Sequence, residues 1–370
     1  MTDCGLYLHI PFCEKRCDYC SFFSSVNDRD VISSYAKELS REIRSLGARN
    51  NNLTLKTVYF GGGTPSLLGL GDLEEIFNAI YTSFRLEKPE ITIEINPNSS
   101  SLLNEYKSFG INRISVGTQS FQSVLLKKLG RIHTPEQALS TLEKAASIFS
   151  NVSADIILGI DEKQNPLSEL EAISPFVKHI SAYMLTVEEE TPLYRNIRDG
   201  KTVIASDETM ANQYEEFVLQ AQEKGFYRYE TSNFAIKGYE SKHNSSYWNL
   251  TPYIGVGAGA HSYLNGRRYY NKTNIIDYMN GVHSGNGKER TERDASKAED
   301  KIEYVMLSLR TVKGVVLSEY RNKFGSEFFS DFNEGIKKSE EYLCVGKESV
   351  SILPKYFLVQ NAIIRSVLSL

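Results

Sequence analysis

From residue 5 to residue 186 the chain alternates between short apolar segments and longer amphipathic ones, and this alternation limits its fold more tightly than any other feature. Strand-like segments cover residues 5–11, 55–60, 90–95, 113–117, 152–159 and 179–186. Between them, residues 31–46, 70–84, 101–109, 135–149 and 167–176 carry apolar side chains at helical spacing. In the first of these helices the apolar positions are Val31, Ile32, Tyr35, Leu39, Ile43 and Leu46, with charges between them. Thr134 stands where an N-cap is expected, and Gly110 follows the end of the third helix. Short strands alternating with helices of this length form βα units around a parallel sheet. Six strands predict an α/β fold with a full or partial (β/α) barrel, whose functional residues gather at the C-terminal ends of the strands.

Three cysteines stand directly after the first strand-like segment. Cys13, Cys17 and Cys20 are spaced C-x3-C-x2-C on one tight loop. Iron–sulfur clusters are held by cysteine sulfur, so three thiolates can hold three irons of a [4Fe–4S] cluster. With no fourth cysteine nearby, the last iron stays open to a small molecule. Zinc is the competing occupant, but zinc sites use four ligands, commonly in two separated pairs. His9 is the available fourth, and it lies on the strand-like run. Cys4 and Cys344 read as a free near-terminal thiol and a semi-buried small hydrophobe. An odd total of five cysteines, three of them in one loop, is not a disulfide framework and fits a reducing compartment.

Composition narrows the function classes. The chain has 370 residues, 41% of them hydrophobic and 24% charged, with a net charge of −4. Mixed charges and a slight acidic excess argue against general nucleic-acid binding. No apolar run approaches the roughly 20 residues of a membrane helix. The N-terminus lacks a basic segment followed by an apolar one, so no signal peptide is expected and the expected location is the cytoplasm.

Other stretches carry chemistry of their own. Gly61-Gly62-Gly63-Thr64-Pro65 follows the second strand-like segment. Glycines there let the backbone approach a ligand and present its N–H groups, or simply form a tight turn. Glu94, Gln119 and Asp155 fall near the ends of later strands. By themselves Glu94 and Asp155 also fit solvated acids at strand ends. His243-Asn-Ser-Ser-Tyr247-Trp248 combines an imidazole with two flat aromatic faces, and by itself also fits a hydrogen-bonded core histidine beside an aromatic pair. His133, His179 and His283 read as structural or surface residues.

Taken together, the cysteine loop after the first strand and the GGGTP run after the second resemble the radical S-adenosylmethionine enzymes. The closer resemblance is to the branch that holds oxygen-independent coproporphyrinogen III dehydrogenase and related haem chaperones, and it covers nearly the whole chain. It is carried by Tyr7-Leu-His-Ile-Pro-Phe-Cys13, Phe60-Gly-Gly-Gly-Thr-Pro65, Ile93-Glu-Ile-Asn-Pro97, Ser115-Val-Gly-Thr-Gln-Ser-Phe121, Leu129-Gly-Arg131, Ala154-Asp155 and Tyr183-Met-Leu-Thr-Val-Glu188.

The resemblance implies a partial (β/α)6 TIM-type radical SAM barrel over 1–235 and a haem-motif segment and linker over 236–297. A smaller, mostly helical winged-helix-like C-terminal domain follows over 298–370. It also implies that Cys13, Cys17 and Cys20 ligate a [4Fe–4S] cluster whose open iron takes the amino and carboxylate groups of S-adenosylmethionine. Tyr7, Gly62, Gly63, Thr64, Glu94, Gln119, Arg131 and Asp155 are then its contacts. In that family an electron from the cluster cleaves the sulfonium to a 5′-deoxyadenosyl radical, which needs an electron donor.

Two departures favour the chaperones over the dehydrogenase. The dehydrogenase carries a fourth cysteine two positions after the third, where this chain has Phe22, and a long extension before its cluster loop, where this chain's first cluster cysteine is residue 13. The His243 motif matches the chaperones' haem motif, which makes His243 the expected axial haem ligand and His261 the second candidate. A smaller departure is Gly159-Ile160-Asp161, where the family more often has Gly-Leu-Pro. The expected function is delivery of haem to acceptor proteins such as membrane respiratory enzymes. The alternative is oxidative decarboxylation of coproporphyrinogen III. The C-terminal region is not strongly basic, so partner docking or substrate cover is expected there rather than DNA.

Overall fold

The computed structural model describes residues 2–26, 28–285, 288–294 and 296–370. Six parallel strands build its core: β1 (Thr2–Ile10), β2 (Leu53–Gly62), β3 (Arg85–Ile95), β4 (Arg113–Gln119), β5 (Val152–Leu158) and β6 (His179–Met184). The helices among and after them are α1 (Arg29–Arg49), α2 (Leu70–Ser83), α3 (Leu103–Ser108), α4 (Ser123–Lys128), α5 (Pro135–Ile148), α6 (Pro166–Ile173), α7 (Pro192–Arg198) and α8 (Asp207–Glu223). Thr134 does cap α5, accepting from the Gln137 N–H.

β6 does not close onto β1. It pairs antiparallel with β8 (Asn233–Ala235), which forms a hairpin with β7 (Tyr227–Arg228). On the other edge β1 pairs in parallel with β9 (Tyr253–Val256), followed by β10 (His261–Leu264), β11 (Arg267–Asn271) and β12 (Lys288–Asp294). The barrel is therefore partial.

Period-two alternation decides what faces the lumen, because successive strand residues point to opposite sides. Leu6, Leu8, Ile10, Val58, Phe60, Ile91, Ile93, Ile114, Val116, Ala154 and Ile156 join one core with the helices that cover the barrel. The intervening residues pair in register: Gly5 with Thr57, Tyr7 with Tyr59, Thr57 with Glu90, Glu94 with Ser115, Ser115 with Ser153, and Asp155 with Ser181. The lumen is thus polar and aromatic, and the jacket around the strands is aliphatic. Truncating a jacket residue such as Leu8, fully buried, would cost about 2–5 kcal/mol.

Three stretches differ from the sequence expectation. Residues 229–234, expected as one short strand, hold the turn of the β7–β8 hairpin and the start of β8. The stretch 238–274, without a clean period, folds into α9 (Lys242–Trp248) and β9 to β11, and α10 (Ile275–His283) follows it. Its order comes from pairing with distant β1. The charged stretch 285–300, expected as an exposed linker, carries β12 on the sheet edge; residues 286, 287 and 295 lie outside the described residues.

The C-terminal unit holds α11 (Lys297–Ser308), β13 (Val315–Val316), α12 (Leu317–Phe324), α13 (Phe328–Lys338), β14 (Leu343–Val345), β15 (Ser349–Ile352) and α14 (Gln360–Leu368). Its strands form a small antiparallel sheet in the order β13-β15-β14. Leu250, Tyr253 and Tyr263 belong to the same apolar cluster as its Val305, Tyr320, Phe328 and Ile364. The Arg228 guanidinium lies 4.0 Å from the Phe357 ring centre, and Val312 donates its N–H to Tyr229 O at 3.0 Å. Through such contacts this unit clasps the β7–β8 hairpin.

Candidate functional site

The cysteine loop leaves β1 and is pinned from both sides. Cys13 N–H donates to Ser25 O (3.0 Å), Ser25 N–H to Pro11 O (2.7 Å), and Asp18 N–H to Leu129 O (3.0 Å). The backbone after β2 folds against it, with Gly63 N–H donating to Ile10 O (2.9 Å) and Thr64 N–H to Phe12 O (2.7 Å). A Cβ at Gly63 would lie 2.5 Å from Phe12 O and 3.0 Å from Cys13 Sγ, so only glycine permits this approach. Gly62 adopts φ +114°, the left-handed region that glycine enters without strain.

All three cluster-loop thiols are free and half-buried. They line a cavity of about 400 Å³ together with Gly62, Gly63, Thr64, Glu94, Gln119, Arg131 and Asp155. The structure thus brings ten of the expected site residues to one place. Burial pushes the Cys13 and Cys20 thiols up, with the Thr64 hydroxyl opposing it at Cys13. Binding iron would expel those protons, because the thiolate is the ligand.

Arg131 organises the opposite wall. Its Nη2 donates to Asn96 Oδ1 and Gly117 O, both at 2.8 Å, and its Nη1 to Cys17 Sγ at 3.3 Å. Its Nε is buried without a partner. Asn96 also donates to Thr64 Oγ1 at 3.1 Å, which joins the glycine run to the arginine. Gln119 holds φ +65°, a strained conformation for a side chain of its size, at the point where β4 and β5 lose register.

The two carboxylates are not solvated acids at strand ends. Glu94 and Asp155 lie deep in the lumen and open only toward the cavity. Burial raises Glu94 to about 7, opposed by the Tyr59 hydroxyl that donates to it at 2.7 Å. Asp155 is also raised by burial, with hydrogen bonds from Ser181 and Ser115 opposing. Desolvation favours the neutral form of these carboxyls, and a ligand amine entering the cavity would draw them to the charged form.

Tyr7 and His243 lie outside the cavity wall. Tyr7 OH meets His9 Nδ1 at 3.0 Å, and His9 Nε2 meets Phe23 O at 3.1 Å. This chain ties β1 to the cysteine loop, and it commits both nitrogens of the histidine weighed as a zinc ligand. Among the described residues no three metal-ligating side chains lie close enough to share one ion.

His243, 1% exposed, enters the lower lumen from α9. Its ring stacks on Tyr59 (5.0 Å) and faces Tyr7 (6.2 Å). Nδ1 meets Thr57 Oγ1 and Nε2 meets Tyr247 OH, each at 2.8 Å. Burial lowers this imidazole to about 3, and Arg113 pushes the same way. The Glu90 carboxylate accepts the His243 N–H at 3.1 Å and so fixes the start of α9. His261 is exposed at the start of β10 and stacks on Tyr270 at 5.4 Å.

Several residues escaped the sequence reading. Asn96 was visible only as part of a strand-stopping Asn-Pro pair. Arg113, 1% exposed, places a guanidinium inside the lumen with Nε and Nη1 unpartnered; it read simply as a strand's first residue. Tyr19 and Met184 also line the cavity. His133 lines it too, but its Nε2 is held by Thr118 O at 3.0 Å, as suits a structural role.

A partial βα barrel with three thiols after its first strand and a glycine run after its second defines a radical S-adenosylmethionine protein, and the Radical SAM superfamily matches residues 7–171. The heme chaperone HemW of Bacillus subtilis is 33% identical over 348 residues, 90% of each chain. That of Lactococcus lactis is 32% identical over 364 residues, 96% of this chain and 94% of its own. The chain belongs to the HemW family of radical S-adenosylmethionine proteins. Coproporphyrinogen III oxidase HemN of Escherichia coli shares the fold, with a TM-score of 0.86 over 99% of this chain and 90% of its own at 20% identity. Superfamily membership implies a [4Fe–4S] cluster and S-adenosylmethionine.

Proposed function

We propose that this protein is a haem chaperone: it holds haem beside a [4Fe–4S] cluster and S-adenosylmethionine and passes the haem to acceptor proteins such as respiratory haem enzymes. One observation carries the reading: three free thiols, the glycine run, two buried carboxyls and Arg131 converge on one cavity, and that cavity backs onto the haem-motif histidine through the Tyr59 ring.

The residues fit the groups they would hold. Cys13, Cys17 and Cys20 supply soft thiolate ligands for a cluster with one open iron. Glu94 and Asp155 can accept from the amine and ribose hydroxyls of S-adenosylmethionine, and Gly62, Gly63 and Thr64 border its methionine end. Arg131 pairs its carboxylate, for which the unpartnered Nε is available. Tyr7 acts from behind, through His9, by holding the loop. When bound, the cluster supplies an electron and a coordination position.

His243 serves as the axial ligand only if the Tyr247 hydroxyl swings off its Nε2 and the buried ring becomes accessible. His261 offers an imidazole that is already exposed. Phe22, 69% exposed, stands where the dehydrogenase branch has a fourth cysteine, which favours haem handling over porphyrin oxidation. Among the described residues no helix is long and apolar enough to cross a membrane, and a cytoplasmic site of action fits the cysteine usage.

The test is anaerobic reconstitution of the cluster followed by two assays. The native protein should bind haem and leave coproporphyrinogen III unchanged; its conversion to protoporphyrinogen IX would overturn the chaperone reading. His243→Ala should lose the haem spectrum while His261→Ala keeps it, and the reverse result would move the ligand to His261.

A further inference from the structure

A second cavity, of about 280 Å³, opens on the far side of the haem motif. Its walls include Tyr183 from β6, Asn233 from the β7–β8 hairpin, Asn244, Tyr247 and Trp248 from α9, and Arg310 from the C-terminal unit. Tyr183 also lines the cluster cavity, and the residue is 42% exposed. Tyr247 is the residue that holds His243 Nε2. The two cavities therefore meet at an exposed aromatic face, with the haem-motif histidine buried behind one wall of the second.

The polar groups here are incompletely used. Trp248 Nε1 and Asn233 Oδ1 are buried without a partner, and Asn233 as a whole is 5% exposed. Arg310 is half-buried, and among the described residues its side chain makes no ion pair or hydrogen bond. Its backbone is nonetheless fixed. Thr231 Oγ1 donates to Arg310 O at 3.2 Å, and the next residue, Thr311, bridges to Glu230. Glu230 is the one carboxylate in the wall. It does not pair with Arg310; it accepts from Ser232 N–H at 3.3 Å and from other groups of its own turn. A half-buried guanidinium on a fixed stretch of backbone, sharing a cavity with tryptophan and tyrosine side chains and left without a counter-ion, is suited to a carboxylate on a flat aromatic ligand.

We infer that Arg310 anchors a propionate of a bound porphyrin, whose ring extends from this cavity across Tyr183 toward the cluster cavity. This rests on the haem-chaperone reading above and assigns to the C-terminal unit a direct part in ligand recognition. The cavity is slightly smaller than the roughly 300–1,000 Å³ of drug-sized ligand sites, so it takes one edge of the ring rather than the whole. Ligand entry would also give Trp248 Nε1 a possible acceptor.

The experiment is an anaerobic absorbance titration of cluster-loaded protein with iron protoporphyrin IX and with its dimethyl ester. Native protein, Arg310→Gln and Arg310→Lys are compared. Native protein should prefer the diacid by about tenfold or more, Arg310→Gln should lose that preference, and Arg310→Lys should keep part of it. Because the Arg310 side chain has no partner in the fold, the variants should retain the cluster spectrum and thermal midpoint. Equal haem affinity in native protein and Arg310→Gln would overturn the anchor and leave the chaperone reading standing. No haem binding by the native protein would overturn both.

Discussion

The upper and lower layers of the barrel lumen each hold a desolvated ionisable group, and the two respond oppositely to a proton. In the upper layer Glu94 is raised to about 7 and faces an open cavity. In the lower layer His243 is lowered to about 3 and has both nitrogens committed to hydroxyls. Desolvation dominates in both cases, and it favours the neutral form of each group. The upper layer is ready for a cationic amine, whereas the lower layer is a sealed hydrogen-bonded core. Tyr59 joins them, donating to Glu94 and stacking on His243.

The largest test of this contrast is at the cysteines. Replacing Cys13, Cys17 or Cys20 by alanine should abolish the visible absorption of a reconstituted cluster, while His243→Ala should retain it, as read by iron content and absorbance. Next in size, His243→Ala should destabilise the fold by about 3–5 kcal/mol. It empties a buried site and strands the Thr57 and Tyr247 hydroxyls, each costing about 1–3 kcal/mol. Urea unfolding measures this, and a loss under about 1 kcal/mol would mean that α9 is not seated in the lumen.

A third test uses pH on the cluster-free protein. Glu94 is raised from 4.5 to about 7, so its contribution to stability is present below pH 4.5 and is lost as pH rises through 7. His243 is lowered from 6.5 to about 3, so its contribution is present above pH 6.5 and is lost as pH falls toward 3. Glu94→Gln should remove a fall in stability of about 3 kcal/mol between pH 4.5 and 7.5. Unfolding midpoints across that range would show it, and an unchanged slope would place Glu94 in a wetter site. The smallest effect belongs to His261→Ala, which should shift stability by no more than about 0.5 kcal/mol because the ring is exposed and stacks only on Tyr270.

Legibility differed between the layers for a physical reason. Cys13 to Cys20, the glycine run, Glu94 and Asp155 stand on or just after strands whose alternation is local, so their place near strand ends could be read directly. The strand Glu90-Ile-Thr-Ile-Glu-Ile95 states its own alternation; the fold then packs its isoleucines against the helices and turns its acids to the lumen. His243 was found as a motif, but its burial was not visible. α9 is only seven residues long, and its seat depends on Gly5, Thr57 and Glu90 from three distant strands. The Glu94 and Asp155 environments also needed the fold, since a strand-end acid and a lumen acid look alike in sequence.

The order of βα units, the alternation that builds the aliphatic jacket and the thiol triplet were already legible in the sequence. These follow from periodicity and spacing within short windows, where neighbouring residues constrain one another directly. That the barrel stays open at β6, that Arg113 sits within the lumen and that α9 closes its lower part came from the three-dimensional fold. It alone brought Arg310 beside Trp248, across more than sixty positions of chain. Such placements arise from contacts between segments far apart in sequence, and no local pattern encodes them.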